Sequence, residues 1–129
     1  MYRIGKEFYF SASHQLTDLP EGHPCTQLHG HNYVVTLELA SEELDRTGFI
    51  VDFKELDALK HWIDTTLDHK HLNDVFDHPN VTTEWLCKVI YDWCKERWHQ
   101  TSAVNIAMNP IFSIFLMGMR RSPGWQLPN

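Results

Sequence analysis

The chain has 129 residues, a net charge of −6 and an apolar share of 43%. That length sets one domain, residues 1–129, with enough apolar side chains for a single core. An acidic chain with no block of Lys or Arg is not a general nucleic-acid or membrane-surface binder, although a small anionic substrate needs only a local basic pocket.

Three cysteines, Cys25, Cys87 and Cys94, make no disulfide framework. Cys87 and Cys94 fall on one predicted helix, about 10 Å apart along its axis, too far to bridge. They read as buried thiols packing like small apolar groups. Met1 to Lys6 lacks the apolar segment of a secretory leader, and the longest apolar run, near Ile111 to Met117, is far too short to span a bilayer. A reducing cytoplasm is the expected location.

Residues 2–14 read as a strand, aromatic-rich through Phe8-Tyr9-Phe10 and ending in Ser13-His14. Thr17 to Pro24 is a loop punctuated by Pro20, Gly22 and Pro24. A second strand follows over roughly 31–40, with Val35, Leu37 and Leu39 on one face and Val34, Thr36 and Glu38 on the other. The two strands predict a long antiparallel hairpin with a wide connecting loop. Ser41 to Gly48 is turn-like, and Phe49-Ile50-Val51 is a short extended run. Asp52 and Glu55 have the spacing of a capping box for a helix over about 53–66, whose apolar stripe is Leu56, Leu59, Ile63 and Leu67. That helix breaks into Asp68-His69-Lys70-His71.

A loop through His78-Pro79-Asn80 leads to Thr82-Thr83-Glu84, where either threonine caps a second helix and Glu84 favours its positive end. The helix has a core face of Leu86, Val89, Ile90 and Trp93 and ends near Trp98-His99. Two more strands, about 102–108 and 111–117, complete the fold, and Arg120 to Asn129 is irregular. The expected architecture is α+β with the order ββααββ: a four-stranded antiparallel sheet with two helices on one face. Its two open edges predict a homo-oligomer joined edge to edge.

Cys25-Thr26-Gln27-Leu28-His29-Gly30-His31 carries the chemistry. In an extended chain, positions two apart share a face, so His29 and His31 project together as two metal ligands would. Gly30 between them leaves room for another group to approach. A catalytic zinc takes three protein ligands and keeps one position open. His14, brought alongside by the hairpin, is the best-placed third. Cys25 reads equally as a fourth ligand, a structural thiol, or a reactive base or nucleophile. Asp68-His69 reads as a proton-transfer pair or as a cation placed at a helix C-terminus. Thr82-Thr83-Glu84 is by itself an ordinary helix start. His23, His61, His71, His78 and His99 read as surface residues.

Taken together, Phe10-Ser11-Ala12-Ser13-His14, the Cys25 to His31 stretch, Val51-Asp52-Phe53, Leu67-Asp68-His69 with Leu72-Asn73, and Thr82-Thr83-Glu84 resemble the 6-pyruvoyltetrahydropterin synthase family in content and order. The resemblance implies a tunnelling fold, in which trimers close a barrel and two trimers stack with active sites between subunits. It implies zinc on His14, His29 and His31, and a dihydropterin triphosphate as substrate. Cys25 would be the base, Asp68 and His69 the relay, and Thr82, Thr83 and Glu84 would lie along the pterin ring. The Cys-x-x-x-His-Gly-His spacing resembles the bacterial 6-carboxytetrahydropterin synthases of queuosine and deazapurine synthesis. The reaction implied converts 7,8-dihydroneopterin triphosphate to 6-carboxytetrahydropterin, acetaldehyde and triphosphate. The alternatives are 6-pyruvoyltetrahydropterin synthase activity or an impaired zinc- and pterin-binding homologue. The last arises because Met108-Asn109 stands where the family carries a Glu-Thr pair, whose glutamate anchors the pterin.

Overall fold

A computed structural model describes residues 1–23, 29–108 and 112–117, with the side chains of 112–115 and of Met117 excepted. Cys25, Asn109 and the tail from Arg120 lie outside the described residues. Strands β1 (Tyr2–His14) and β2 (His29–Ser41) pair antiparallel along their whole lengths, from Tyr2 opposite Ser41 to His14 opposite His29. The strict alternation of both segments sets this register, because a slip of one residue would turn every apolar side chain to the wrong face. Strand β2 starts at His29, two residues earlier than its apolar pattern suggests.

Phe8, Phe10, Ala12, Tyr33, Val35, Leu37 and Leu39 point to one face and are buried. They meet Leu56, Leu59, Ile63 and Leu67 of the first helical segment and Leu86 and Ile90 of the next helix in one core. The predicted single helix over 53–66 is in fact three pieces. A 3₁₀ turn covers Phe53–Leu56, α1 covers Asp57–Trp62, and a π-helical turn covers Ile63–Leu67. Asp52 caps the first by accepting the Lys54 N–H. All four residues of the predicted apolar stripe are buried. Ile50 and Val51 feed the core from bends rather than from the expected extended run.

The expected four-stranded antiparallel sheet is corrected on two counts. The sheet has five strands in the order β3-β1-β2-β4-β5, and it is mixed. Strand β3, only Lys70–His71, lies parallel to β1 with Ala12 opposite Lys70 and Ser13 opposite His71. Two residues carry no periodicity, so nothing local distinguishes this strand from a loop. Helix α2 (Leu72–Phe76) follows directly and was likewise invisible as a pattern. Its end is marked by Asp77 in a left-handed conformation (φ 48°).

Helix α3 runs Thr83–Arg97, with Thr82 as N-cap accepting the Trp85 N–H. Its buried face is rotated from the expected one, with Leu86, Cys87, Ile90, Tyr91 and Cys94 inside. Val89 and Trp93 are half-buried, and Trp93 stacks on Trp62. Burial pushes the Cys87 thiol up to about 11 and the Cys94 thiol to about 12, so both stay protonated and inert at neutral pH. Strands β4 (Thr101–Met108) and β5 (Phe112–Met117) close the sheet antiparallel, where two strands are expected over about 102–108 and 111–117. Among the described residues, no helix is long and apolar enough to cross a membrane.

Candidate metal and proton-transfer site

The hairpin register does the first part of the work. His14 sits opposite His29, and Ala12 sits opposite His31, so all three imidazoles leave the core-facing side at one end of the sheet. Their ring centroids lie 4.4, 4.7 and 5.0 Å apart. One nitrogen from each lies within 4.8 Å of the others, and His14 Nε2 is 2.8 Å from His29 Nε2. Tetrahedral zinc with bonds of about 2.0–2.1 Å needs ligand nitrogens about 3.4 Å apart, which this spacing brackets.

His14 is also oriented from behind. Its Nδ1 lies 2.7 Å from the Val81 carbonyl, which accepts only a protonated nitrogen. That fixes the Nδ1–H tautomer and leaves Nε2 with its lone pair toward the other rings, the arrangement that metal-ligating histidines show. Burial holds the pKa of His14 and of His31 below the ordinary imidazole value, and the neighbouring histidines push the same way. For His14 the Val81 carbonyl opposes this, as the smaller effect. The neutral form that results is the one that binds a metal. An all-imidazole, half-buried trio therefore fits zinc.

Asn73 lies between the end of β1 and the loop that leads to Val81. The Asn73 side chain accepts the Gln15 N–H at 2.9 Å and donates to the carbonyls of Gln15 at 2.7 Å, Pro79 at 3.0 Å and His78 at 3.1 Å. One amide thus ties the end of β1 to the loop that precedes Val81. Asn73 carried no signal of its own in the sequence beyond its place after Leu72.

Asp68 and His69 form a second corner. The π-helical turn ends with the Asp68 N–H on the Ile63 carbonyl at 2.9 Å, a bond spanning five residues. The chain then reverses through His69 in the left-handed region (φ 57°), strained for a residue with a Cβ. Strand β1 holds both residues. The Ser11 N–H donates to Asp68 Oδ1 at 2.9 Å, and the His69 N–H donates to the Ser11 carbonyl at 2.6 Å. Asp68 Oδ2 lies 2.9 Å from His69 Nδ1. The Ser11 amide, first, and the His69 ring, second, hold the Asp68 carboxyl below the usual carboxylate range. A carboxylate on Nδ1 leaves Nε2 as the proton-accepting nitrogen of a side chain that is 83% exposed.

The two corners open on one cavity of about 450 Å³, to whose lining His31 and His69 both contribute. Gly30 also lines it. Among the described residues, a Cβ at Gly30 would meet only the Ala12 carbonyl, at an ordinary 3.7 Å.

The remaining expected site residues are placed less simply. Thr82 spends its hydroxyl on the helix cap, and the buried Thr83 donates to Met108 Sδ at 3.1 Å. Glu84 is exposed in the same turn of α3. Met108, at the end of β4 opposite Tyr33, packs against the core. His71, read from the sequence as a surface residue, is instead half-buried at the cavity with Nδ1 3.0 Å from Ser13 Oγ.

The sequence model of the 6-pyruvoyl tetrahydropterin synthase family matches residues 3–110, so the chain belongs to that family. It is 36% identical over 97 residues to the 6-carboxy-5,6,7,8-tetrahydropterin synthase of Bacillus subtilis, a match covering 70% of this chain and 64% of that protein. It is 38% identical over 96 residues to the protein of the same name from Synechocystis, covering 70% and 73%. Among solved structures, 6-pyruvoyl tetrahydropterin synthase of Caenorhabditis elegans superposes with a TM-score of 0.79 at 24% identity, over 92% of this chain and 96% of that one. That last likeness establishes the fold, the tunnelling fold of this family.

Proposed function

We propose that the chain is a zinc-dependent 6-carboxy-5,6,7,8-tetrahydropterin synthase, a lyase acting on 7,8-dihydroneopterin triphosphate in the cytoplasm. The observation that carries the reading is the meeting of the His14, His29 and His31 trio with the Asp68–His69 pair at one cavity. Relatives bearing that name at 36% and 38% identity support it. His14, His29 and His31 would hold the metal, which supplies a Lewis acid that polarises the side-chain oxygens of the substrate. His69 Nε2 takes up or returns a proton, while Asp68 keeps the ring in the right tautomer and orientation. Cys25 is the second base of the scheme, and Thr82, Thr83 and Glu84 flank the pterin. The enzyme works as a homo-oligomer, a trimer or a dimer of trimers, in which the open sheet edges close a barrel.

A second reading, a homologue that binds zinc and a pterin with impaired turnover, is favoured by one observation. Where the resemblance implies an anchoring glutamate, this chain has a thioether that accepts the Thr83 hydroxyl. Incubation of zinc-loaded protein with dihydroneopterin triphosphate decides between them. Release of acetaldehyde and triphosphate is the expected result. Binding without release selects the impaired homologue, and a pyruvoyl product without acetaldehyde selects 6-pyruvoyltetrahydropterin synthase activity.

A further inference from the structure

The cavity that joins the two corners has a lining chemistry of its own. Ser13, His69, Lys70 and His71 line it, no described acidic residue does, and the nearby Asp68 carboxylate is paired with His69. In a chain of net charge −6, an acid-free stretch of surface with a lysine and three histidines is the reverse of the average. The parallel pairing of β3 with β1 builds it, by setting Lys70 beside Ala12 and His71 beside Ser13. The Ser13 hydroxyl, 3.0 Å from His71 Nδ1, fixes that ring and leaves its Nε2 as the other polar atom. Lys70 is exposed and lines the same cavity. An ammonium, an oriented imidazole and a glycine without a side chain are what an oxyanion group needs: charge, direction and room.

We propose that Lys70 and the Ser13-oriented His71 form an oxyanion subsite that binds the phosphate chain of the substrate in the cavity that His31 and His69 also line. This deepens the pterin-synthase reading and rests on it for the identity of the phosphorylated molecule. His71 and Lys70 are positioning residues here. They hold the phosphates and do not touch the reacting atoms. Free inorganic polyphosphate has the same chemistry as the esterified chain, so both are tested.

Calorimetric titration of the zinc-loaded protein with inorganic triphosphate, with zinc content checked afterwards, reads the subsite without turnover. Binding is expected, with Lys70→Gln and His71→Ala each weakening it about tenfold and Ser13→Ala by less. Unphosphorylated dihydroneopterin is expected to bind all four proteins alike. In turnover, the same two variants raise KM for dihydroneopterin triphosphate and leave kcat nearly unchanged. No triphosphate binding by the wild type, unchanged binding in both variants, or equal loss of the unphosphorylated ligand would overturn the proposal. Lys70 is exposed, so Lys70→Gln keeps the test valid should His71→Ala unfold. Variant-sensitive triphosphate binding without any turnover keeps the subsite and removes the lyase reading. Such binding without competition by dihydroneopterin triphosphate assigns the subsite to free polyphosphate and overturns the substrate role.

Discussion

The two corners of the site are made in opposite ways. The histidine trio stands on two strands paired over their full length, so its geometry follows from the register of the whole hairpin. The Asp68–His69 corner stands on a helix that loses its regular hydrogen bonding, followed by a residue at positive φ. The first is rigid by redundancy: moving His14 means moving β1. The second is held by a handful of bonds to Ser11 and by local strain, and it exposes its imidazole. A metal needs fixed ligand positions, whereas a proton carrier needs access to solvent and substrate. The proposed roles match that difference, the metal at the trio and the proton at His69.

The largest effect separates the corners by metal. His14→Ala removes one of the three proposed ligands and is expected to weaken zinc binding by more than about a hundredfold, beyond the loss when a hydrogen-bond partner of a ligand is changed. His69→Ala is expected to keep stoichiometric zinc while losing turnover. Metal analysis after dialysis reads both, and zinc retained by His14→Ala would break the contrast.

Asn73→Ala tests the support behind the trio. It removes four hydrogen bonds at the joint between β1 and the loop before Val81, which is expected to cost about 2–3 kcal/mol of stability. Zinc affinity should fall about tenfold with it, through the loosened His14 partner. A urea melt with full zinc affinity intact would show that Val81 is positioned by other contacts.

Asp68→Asn tests the second corner and has a pH signature. The Asp68 carboxyl titrates below its ordinary value in the folded chain, through the Ser11 amide first and His69 second. Its contribution is therefore complete above the unfolded value of about 3.9 and is lost as pH falls through the lower folded value. The variant should be about 1 kcal/mol less stable than the wild type at pH 7, with the two converging in acid. A difference that persists unchanged at pH 2 would mean that the charge is not the cause.

The smallest effect is at Gly30. Gly30→Ala is expected to change stability by less than about 0.5 kcal/mol, because the new methyl meets only ordinary contact. A large loss of substrate affinity with the fold intact would show that a bound ligand occupies that space.

Alternation in β1 and β2 and the caps at Asp52 and Thr82 are local patterns that formed as read, and the apolar stripe of Leu56, Leu59, Ile63 and Leu67 is buried as read although its helix is broken into three pieces. The pairing of His29 with His31 and the choice of His14 as third histidine were legible for the same reason, since a period of two and one hairpin place all three. The decisive contacts outside that set join residues far apart in the chain. Ser11 meets Asp68 across 57 positions, Ser13 meets His71 across 58, and His14 meets Val81 across 67. No window of sequence contains both partners of such a bond. The sequence by itself therefore determined the hairpin, the meeting of the three histidines and the family. The tertiary structure alone decided the mixed sheet, the Asn73 tie, the place of Met108 against Thr83 and the recruitment of His71. A two-residue strand has no period to read, and its direction is fixed only by the edge it joins.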